Sequence, residues 1–198
     1  MVTDLSEIHA HPTHLPRRIP KAEFVAGRLS LAFCNSVALP DAADRLADPV
    51  GLAAWAERAG HALGRIPDAA DHADMLALRA TLCAIFTDLV AGIDPPATAL
   101  ASLGAAMVPV RLVWDGSTRR AHTLAAGDAL SELKRAIISD AIELLTGEAQ
   151  ARIKRCPGAD CRWFFFDTTK NAQRRWCAMG DCGVKAKVAR YRTRHAAF

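Results

Sequence analysis

Cys156-Pro-Gly-Ala-Asp-Cys161 and Cys177-Ala-Met-Gly-Asp-Cys182 share one spacing, C-x4-C, and fifteen residues lie between them. Each intervening tetrapeptide is rich in turn formers. Each segment can therefore fold back and aim two sulfurs at one point, with backbone N–H groups placed to hydrogen-bond the thiolates. Two such knuckles complete a tetrahedral S4 set, which suits Zn²⁺ and leaves no open position. A closed site is structural, whereas a catalytic zinc keeps a water in its fourth place. The predicted metal ligands are Cys156, Cys161, Cys177 and Cys182, holding one structural Zn²⁺. Buried or disulfide-linked cysteines and an iron–sulfur cluster are competing readings of the same residues; the polar, glycine-bearing loops favour zinc. The other two cysteines, Cys34 and Cys83, lie in apolar periodic segments and read as core packing.

Outward from the knuckles, Arg152-Ile-Lys-Arg155 enters the first as a strand and Arg162-Trp-Phe-Phe-Phe166 leaves it as another. Alternation along the second strand separates Trp163 and Phe165 from Phe164 and Phe166. One set is expected to cover the metal and the other to dock on the rest of the protein. Asp167-Thr-Thr-Lys-Asn171 reads as a capped turn. After Cys182 the sequence predicts a helix. At about 100° per residue, Val184, Val188, Tyr191 and His195 share one stripe, expected to rest on the zinc core. Lys185 and Arg192 lie on one flank of it, and Lys187, Arg190 and Arg194 on the other. So small a module buries little apolar surface, so the metal is expected to supply much of its folding free energy.

Charge divides the chain at the same place. The net charge of +4 combines −5 over residues 1–151 with +9 over residues 152–198. Four thiolates and one Zn²⁺ would bring the second value to about +7. Such a surface suits a polyphosphate backbone. The candidate nucleic-acid contacts are Arg174, Arg175, Lys185, Lys187, Arg190, Arg192 and Arg194. A basic face that docks a protein, or one that is merely solvated, is the alternative.

Upstream, residues 1–20 contain three prolines and His9, His11 and His14 without periodicity, and read as a flexible surface segment. Residues 21–150 read as a mostly helical domain. In residues 27–37, Leu29, Leu31 and Phe33 alternate, which suggests a strand, with a helix the other reading. Asp48 offers an N-cap and Pro49 a first helical residue for a helix through Leu52, Trp55, Ala56 and Ala59. Met75, Leu78, Leu82, Ile85, Phe86 and Leu89 predict a helix over about 70–91, closed by Gly92 and Pro95-Pro96. A short helix follows at 97–106. Alternating segments at 109–114 and 119–124 flank Asp115-Gly116-Ser117 and predict a β-hairpin. A last helix spans 129–146, stopped by Gly147. The expected fold is α+β and mostly α, with a small C-terminal zinc finger (hairpin plus helix) over 151–198.

The finger residues resemble the CGNR-type zinc finger of bacterial proteins described as stress-induced transcription regulators. The resemblance rests on Cys156–Cys161, Phe166-Asp167, Asn171, Arg174-Arg175-Trp176-Cys177-Ala-Met179, Cys182-Gly183-Val184-Lys185, Lys187 and Arg192. In that family an N-terminal domain, ABATE, precedes the finger. Gly27, Leu29, Leu31, Phe33, Asn35 and Ser36 are similar to its opening motif, and Trp55 fits its first helix. The resemblance implies a DNA-binding finger on a domain with a sensor role; a small-molecule effector of the helical body, or its homodimer, is expected alongside. There are three departures. The name-giving Cys-Gly-Asn-Arg reads Cys182-Gly183-Val184-Lys185, so an amide is lost and a bidentate guanidinium becomes a point charge. Ala32 stands where the opening motif has an acid.

Function classes narrow accordingly. No run approaches the ~20 apolar residues of a membrane span, and no basic-then-apolar leader is present; a cytoplasmic protein is expected. No Gly-rich phosphate loop, nucleophile elbow or zincin motif occurs. Asp71-His72 and Asp140 with Glu143 are the only acid–base pairs to consider, and neither reads as catalytic. The expectation is a transcription regulator that binds DNA through the finger, and not an enzyme. An RNA-binding or protein-docking zinc module is the alternative.

Overall fold

The computed structural model describes residues 24–37 and 43–195. The proline- and histidine-bearing segment 1–20, with His9, His11 and His14, lies outside the described residues.

A six-residue helix, α1 (Leu29–Cys34), occupies the middle of the body, and all six of its residues are buried. This corrects the strand expected from Leu29, Leu31 and Phe33. A segment enclosed on all sides is apolar on every face, so alternation within it carries no information about period. Its polar residue, Ser30, donates both its N–H and its hydroxyl to Asp140 Oδ2. Phe33 meets Trp55 with ring centroids 5.3 Å apart.

The other helices begin and end where short-range chemistry directs. Helix α2 (Pro49–Arg58) starts at Asp48, whose side chain accepts from Gly51 N at 2.7 Å, with Pro49 in the first turn. Helix α3 (Ala69–Ala91) opens on a capping box in which Asp68 and Asp71 bond reciprocally to each other's backbone N–H. It closes on Gly92 at φ 73°, a left-handed conformation that glycine adopts without strain. Helix α4 (Ala97–Ala105) follows the proline pair. Strands β1 (Val110–Asp115) and β2 (Arg120–Ala125) pair antiparallel, from Val110 opposite Ala125 to Asp115 opposite Arg120. The Asp-Gly signal is not the tip of a two-residue turn. Asp115 accepts from the Ser117 and Thr118 hydroxyls, and Gly116–Arg119 form the loop. Helix α5 (Ala129–Thr146) starts at Asp128 and packs on α1.

A short 3₁₀ turn at Gln150–Arg152 leads into the second hairpin, β3 (Ile153–Arg155) and β4 (Phe164–Phe166). It pairs antiparallel from Ile153 opposite Phe166 to Arg155 opposite Phe164. It also packs on α1 and α3, so Ile153 and Phe164 are buried in the same core as Leu31, Phe33 and Phe86. Asn35, just after α1, fixes that seat. Its amide nitrogen donates to the Phe164 carbonyl and its amide oxygen accepts the Phe164 N–H, both at 2.8 Å. Phe166 N donates to the Ala26 carbonyl at 2.8 Å. The last helix, α6 (Val184–His195), grows from a wide turn at Met179–Gly183. Among the described residues no helix is long and apolar enough to cross a membrane.

Candidate metal centre and nucleic-acid interface

The hairpin brings the first knuckle to the second by alternation. Phe164 and Phe166 face the body, while Phe165, fully buried, and Trp163 turn toward Cys156, Cys177 and Cys182. The two sets of aromatics divide as the strand period predicts. In the first knuckle Cys156 N donates to Trp163 O at 2.9 Å, and Cys161 N to Gly158 O at 3.0 Å. Gly158 lies close against the knuckle's own atoms. A Cβ there would stand 3.1 Å from Cys161 Cβ and 3.3 Å from Cys182 Sγ, inside ordinary contact.

The sulfurs of Cys156, Cys161, Cys177 and Cys182 all lie within 4.8 Å of one another. Cys161–Cys177 and Cys177–Cys182 are each 3.6 Å apart. A zinc with Zn–S bonds of about 2.3 Å has sulfurs about 3.8 Å apart at its tetrahedral corners, so the set fits the ion. Its charge logic fits as well. Hydrogen bonding from Cys177 holds the Cys161 thiol down at about 5. Hydrogen bonding to Cys161, then burial, drives Cys177 far up, and burial pushes Cys182 up to about 12. Four thiols at one point resist ionising together, and a dication removes that conflict. Cys177 N lies 3.5 Å from Cys156 Sγ, a backbone donor to a ligand sulfur. These cysteines are the ligand set of one structural zinc.

Asp167 organises the segment between the knuckles. It is fully buried and accepts from Thr169 N and Oγ1, Arg174 N and Lys154 Nζ. Burial alone would raise its carboxyl. The Lys154 ammonium and the Thr169 and Arg174 donors outweigh burial and hold it well below the usual carboxylate range. The capped turn expected at 167–171 is this arrangement.

The predicted cations do not all reach the surface together. Arg174 is a correction. Its guanidinium donates to the carbonyls of Trp176 (3.0 Å), Phe166 (3.4 Å), Val25 (2.9 Å) and Cys177, and lies 4.6 Å from the Phe165 ring centroid. With its donors on backbone oxygens, it ties knuckle, hairpin and body together instead of meeting a phosphate. Arg175 is exposed, 5.3 Å over the Trp176 ring. Lys185, Lys187, Arg190, Arg192 and Arg194 are all exposed on α6. Lys185 pairs with Asp181 at 3.1 Å, which depends on a charge but not on an Asn–Arg pair.

A second correction concerns α6 itself. Its apolar stripe does not rest on the zinc core. Val184, Val188 and Tyr191 are 50%, 42% and 63% exposed, and no residue of α6 is buried. The helix stands off the knuckles, with its stripe half-open to solvent. An open groove of about 830 Å³ lies between it and the knuckles, lined by Trp163, Trp176, Val184 and Val188 with Arg175 and Arg192 among its cations. The seat made by Asn35 and the clamp made by Arg174 had no local signal beyond residue type, since their partners are backbone groups, with Phe164 129 residues from Asn35 and Val25 149 residues from Arg174.

The CGNR zinc finger family model matches residues 152–195, and a second model, ABATE, described as "Putative stress-induced transcription regulator", matches residues 27–148. No curated protein matches the chain.

Proposed function

Because the chain belongs to the ABATE family and ends in a CGNR zinc finger, we propose that it is a transcription regulator that grips duplex DNA with α6. The observation that carries this reading is the form of that helix. It has 12 residues, all exposed from Lys187 to His195, with five cations and no acid between Val184 and His195. It is about 18 Å long and narrow enough for a major groove about 12 Å wide. The zinc-held turn gives it a rigid base, and Arg175 extends the positive field beside it. Phosphate contacts from its exposed lysines and arginines would position the helix in that groove.

The helical body serves in this reading as sensor or dimerisation unit. A polar cavity of about 480 Å³, with Arg65, Asp71, Asp74, Asp128 and Lys134 in its wall, supports a small polar effector. The carboxylates considered for catalysis have structural partners: Asp71 closes the α3 capping box, and Asp140 and Glu143 hold Arg28. The reading therefore assigns the body no reaction.

Selection of duplexes from a random pool by the zinc-loaded protein tests the proposal. An enriched motif supports a sequence-reading helix. Absence of any duplex retention at low salt refutes it. The groove beside Trp163 and Trp176 favours a second reading, in which bases of single-stranded RNA stack there; preference for single strands in the same selection would establish it.

A further inference from the structure

The hairpin β1–β2 is a sheet of two strands, and its two outer edges differ. Residues pair one for one from Val110 to Asp115, and at the open end Ala126 N–H donates to the Pro109 carbonyl. Hydrogen-bonded and non-hydrogen-bonded pairs alternate along an antiparallel ladder. Arg111, Val113 and Asp115 therefore exchange bonds with β2, while the N–H and C=O groups of Val110, Leu112 and Trp114 point away from it. The outer side of β2 lies along α5: Ala125 N–H donates to Glu132 Oε2 at 2.8 Å, and Arg135 donates to Thr123 Oγ1 at 3.3 Å. The outer edge of β1 is bare. Among the described residues, no group outside the hairpin bonds the backbone of Val110, Leu112 or Trp114.

The same three residues carry an exposed apolar face, with Val110, Leu112 and Trp114 at 51%, 74% and 63% exposure. A bare edge is a template for another strand, and proteins blunt such edges with bulges, lysines, prolines or very short strands. Strand β1 has six residues without a bulge, a lysine or a proline. A hairpin of two strands is also marginal in water by itself.

We propose that a second copy of this chain covers this edge, with β1 pairing antiparallel to the partner's β1 across a two-fold axis, so that two hairpins join into one four-stranded sheet. The sequence Val110-Arg-Leu-Val-Trp-Asp115 is self-complementary about Val113. With Val113 opposite the partner's Val113, Leu112 lies opposite the partner's Trp114, and Arg111 opposite the partner's Asp115, each pair occurring twice. Leu112 and Trp114 are the residues whose backbone groups are free, so theirs are the hydrogen-bonded pairs. Their side chains form an aromatic–aliphatic contact on one face, and the other face gains two pairs of opposite charge. Asp115 Oδ2 accepts from the Thr118 hydroxyl and has room for a second donor. Centring the axis on Leu112 instead would set Arg111 against the partner's Val113 and lose both charge pairs. A two-fold contact consumes both bare edges at once and leaves none to propagate. The inference gives a surface to the dimerisation role in the proposed function, and rests on that reading to that extent; its geometry involves no residue of α6.

Analytical ultracentrifugation of the full, zinc-loaded chain, without DNA and over a range of micromolar concentrations, tests this together with amide hydrogen exchange. The expected mass is twice the 21.3 kDa of the chain, with slow exchange at the Leu112 and Trp114 amides that becomes rapid on dilution to monomer. R111D places an acid opposite the partner's Asp115 at an exposed position and should halve the mass while zinc content and Tm stay as in wild type; R111K should remain a dimer. V113C should cross-link to its own copy through a reducible bridge, because facing residues of a non-hydrogen-bonded pair have Cα atoms about 4.5 Å apart, within disulfide reach. A wild-type monomer at every concentration overturns the proposal and leaves the edge to a foreign strand. A dimer whose Leu112 and Trp114 amides exchange rapidly overturns it too, since another surface then holds the copies, as does a dimer that R111D leaves intact. The wild-type measurements need no substitution, and with no DNA present their failure is distinct from a failure of the duplex selection.

Discussion

Replacing Lys187 and Arg190 together by glutamate should change how steeply duplex binding depends on salt, and by an amount the structure sets. Among the described residues Lys185 already pairs with Asp181, and Arg174 is committed to carbonyls. Arg175, Lys187, Arg190, Arg192 and Arg194 remain as exposed cations of the interface. If each neutralises one phosphate, the slope of log K against log salt is about −4.5. Raising salt from about 50 to about 200 mM then weakens binding roughly 500-fold. K187E/R190E leaves three contacts, a slope of about −2.7, and a loss of only about 40-fold over the same range. Fluorescence anisotropy of a labelled duplex at several salt concentrations reads both slopes, with zinc content measured on the same samples. Neither substituted residue touches the metal, so zinc should stay at one per chain. A variant that keeps its zinc and the wild-type slope would show that α6 does not carry the phosphate contacts, and the proposed interface would be wrong.

Three further outcomes follow from the packing. Removing zinc, by a chelator or by C156S/C177S, should free the knuckles and α6 but leave the β3–β4 hairpin in place, because Ile153 and Phe164 belong to the body's core. Hydrogen exchange at the Phe166 amide, bonded to Ala26, should stay slow; rapid exchange there would refute a shared core. Asn35→Ala strands a buried N–H and a buried carbonyl of Phe164 and should cost about 2–4 kcal/mol in urea unfolding, with a change under about 0.5 kcal/mol contradicting the seat. Asp167 has a depressed folded pKa, so its contribution is present above the unfolded carboxylate value of about 3.9 and is lost as pH falls through the folded one. The gap in Tm between wild type and D167N, followed by calorimetry with zinc in excess, should therefore be full above about pH 5 and narrow below about pH 4; a gap independent of pH would mean the carboxylate's charge is irrelevant.

What the sequence made legible was what depends on near neighbours. The two C-x4-C knuckles, the Asp48 cap and the Gly92 stop each act over a few residues, and each appears in place. Alternation along Trp163–Phe166 also sufficed, because a strand has only two faces. Three readings failed where the deciding partner is remote. Helix α1 looked like a strand because its surroundings are apolar on every side. The stripe on α6 was correctly grouped, but grouping does not say what the stripe meets, and here it meets solvent. Arg174 counted as a surface cation because a formula charge does not reveal four carbonyl acceptors waiting in the fold.

The strand Phe164–Phe166 belongs to two interiors at once, with Phe165 in one and its neighbours in the other. A cassette cut at residue 151 and grafted onto another protein would carry Ile153 and Phe164 to the surface and lose the Asn35 amide that satisfies the strand's backbone. The finger is thus not portable in the way a string of independent zinc fingers is. Its helix also cannot pivot on a linker, so the angle at which α6 leaves the protein is fixed by the body that carries it.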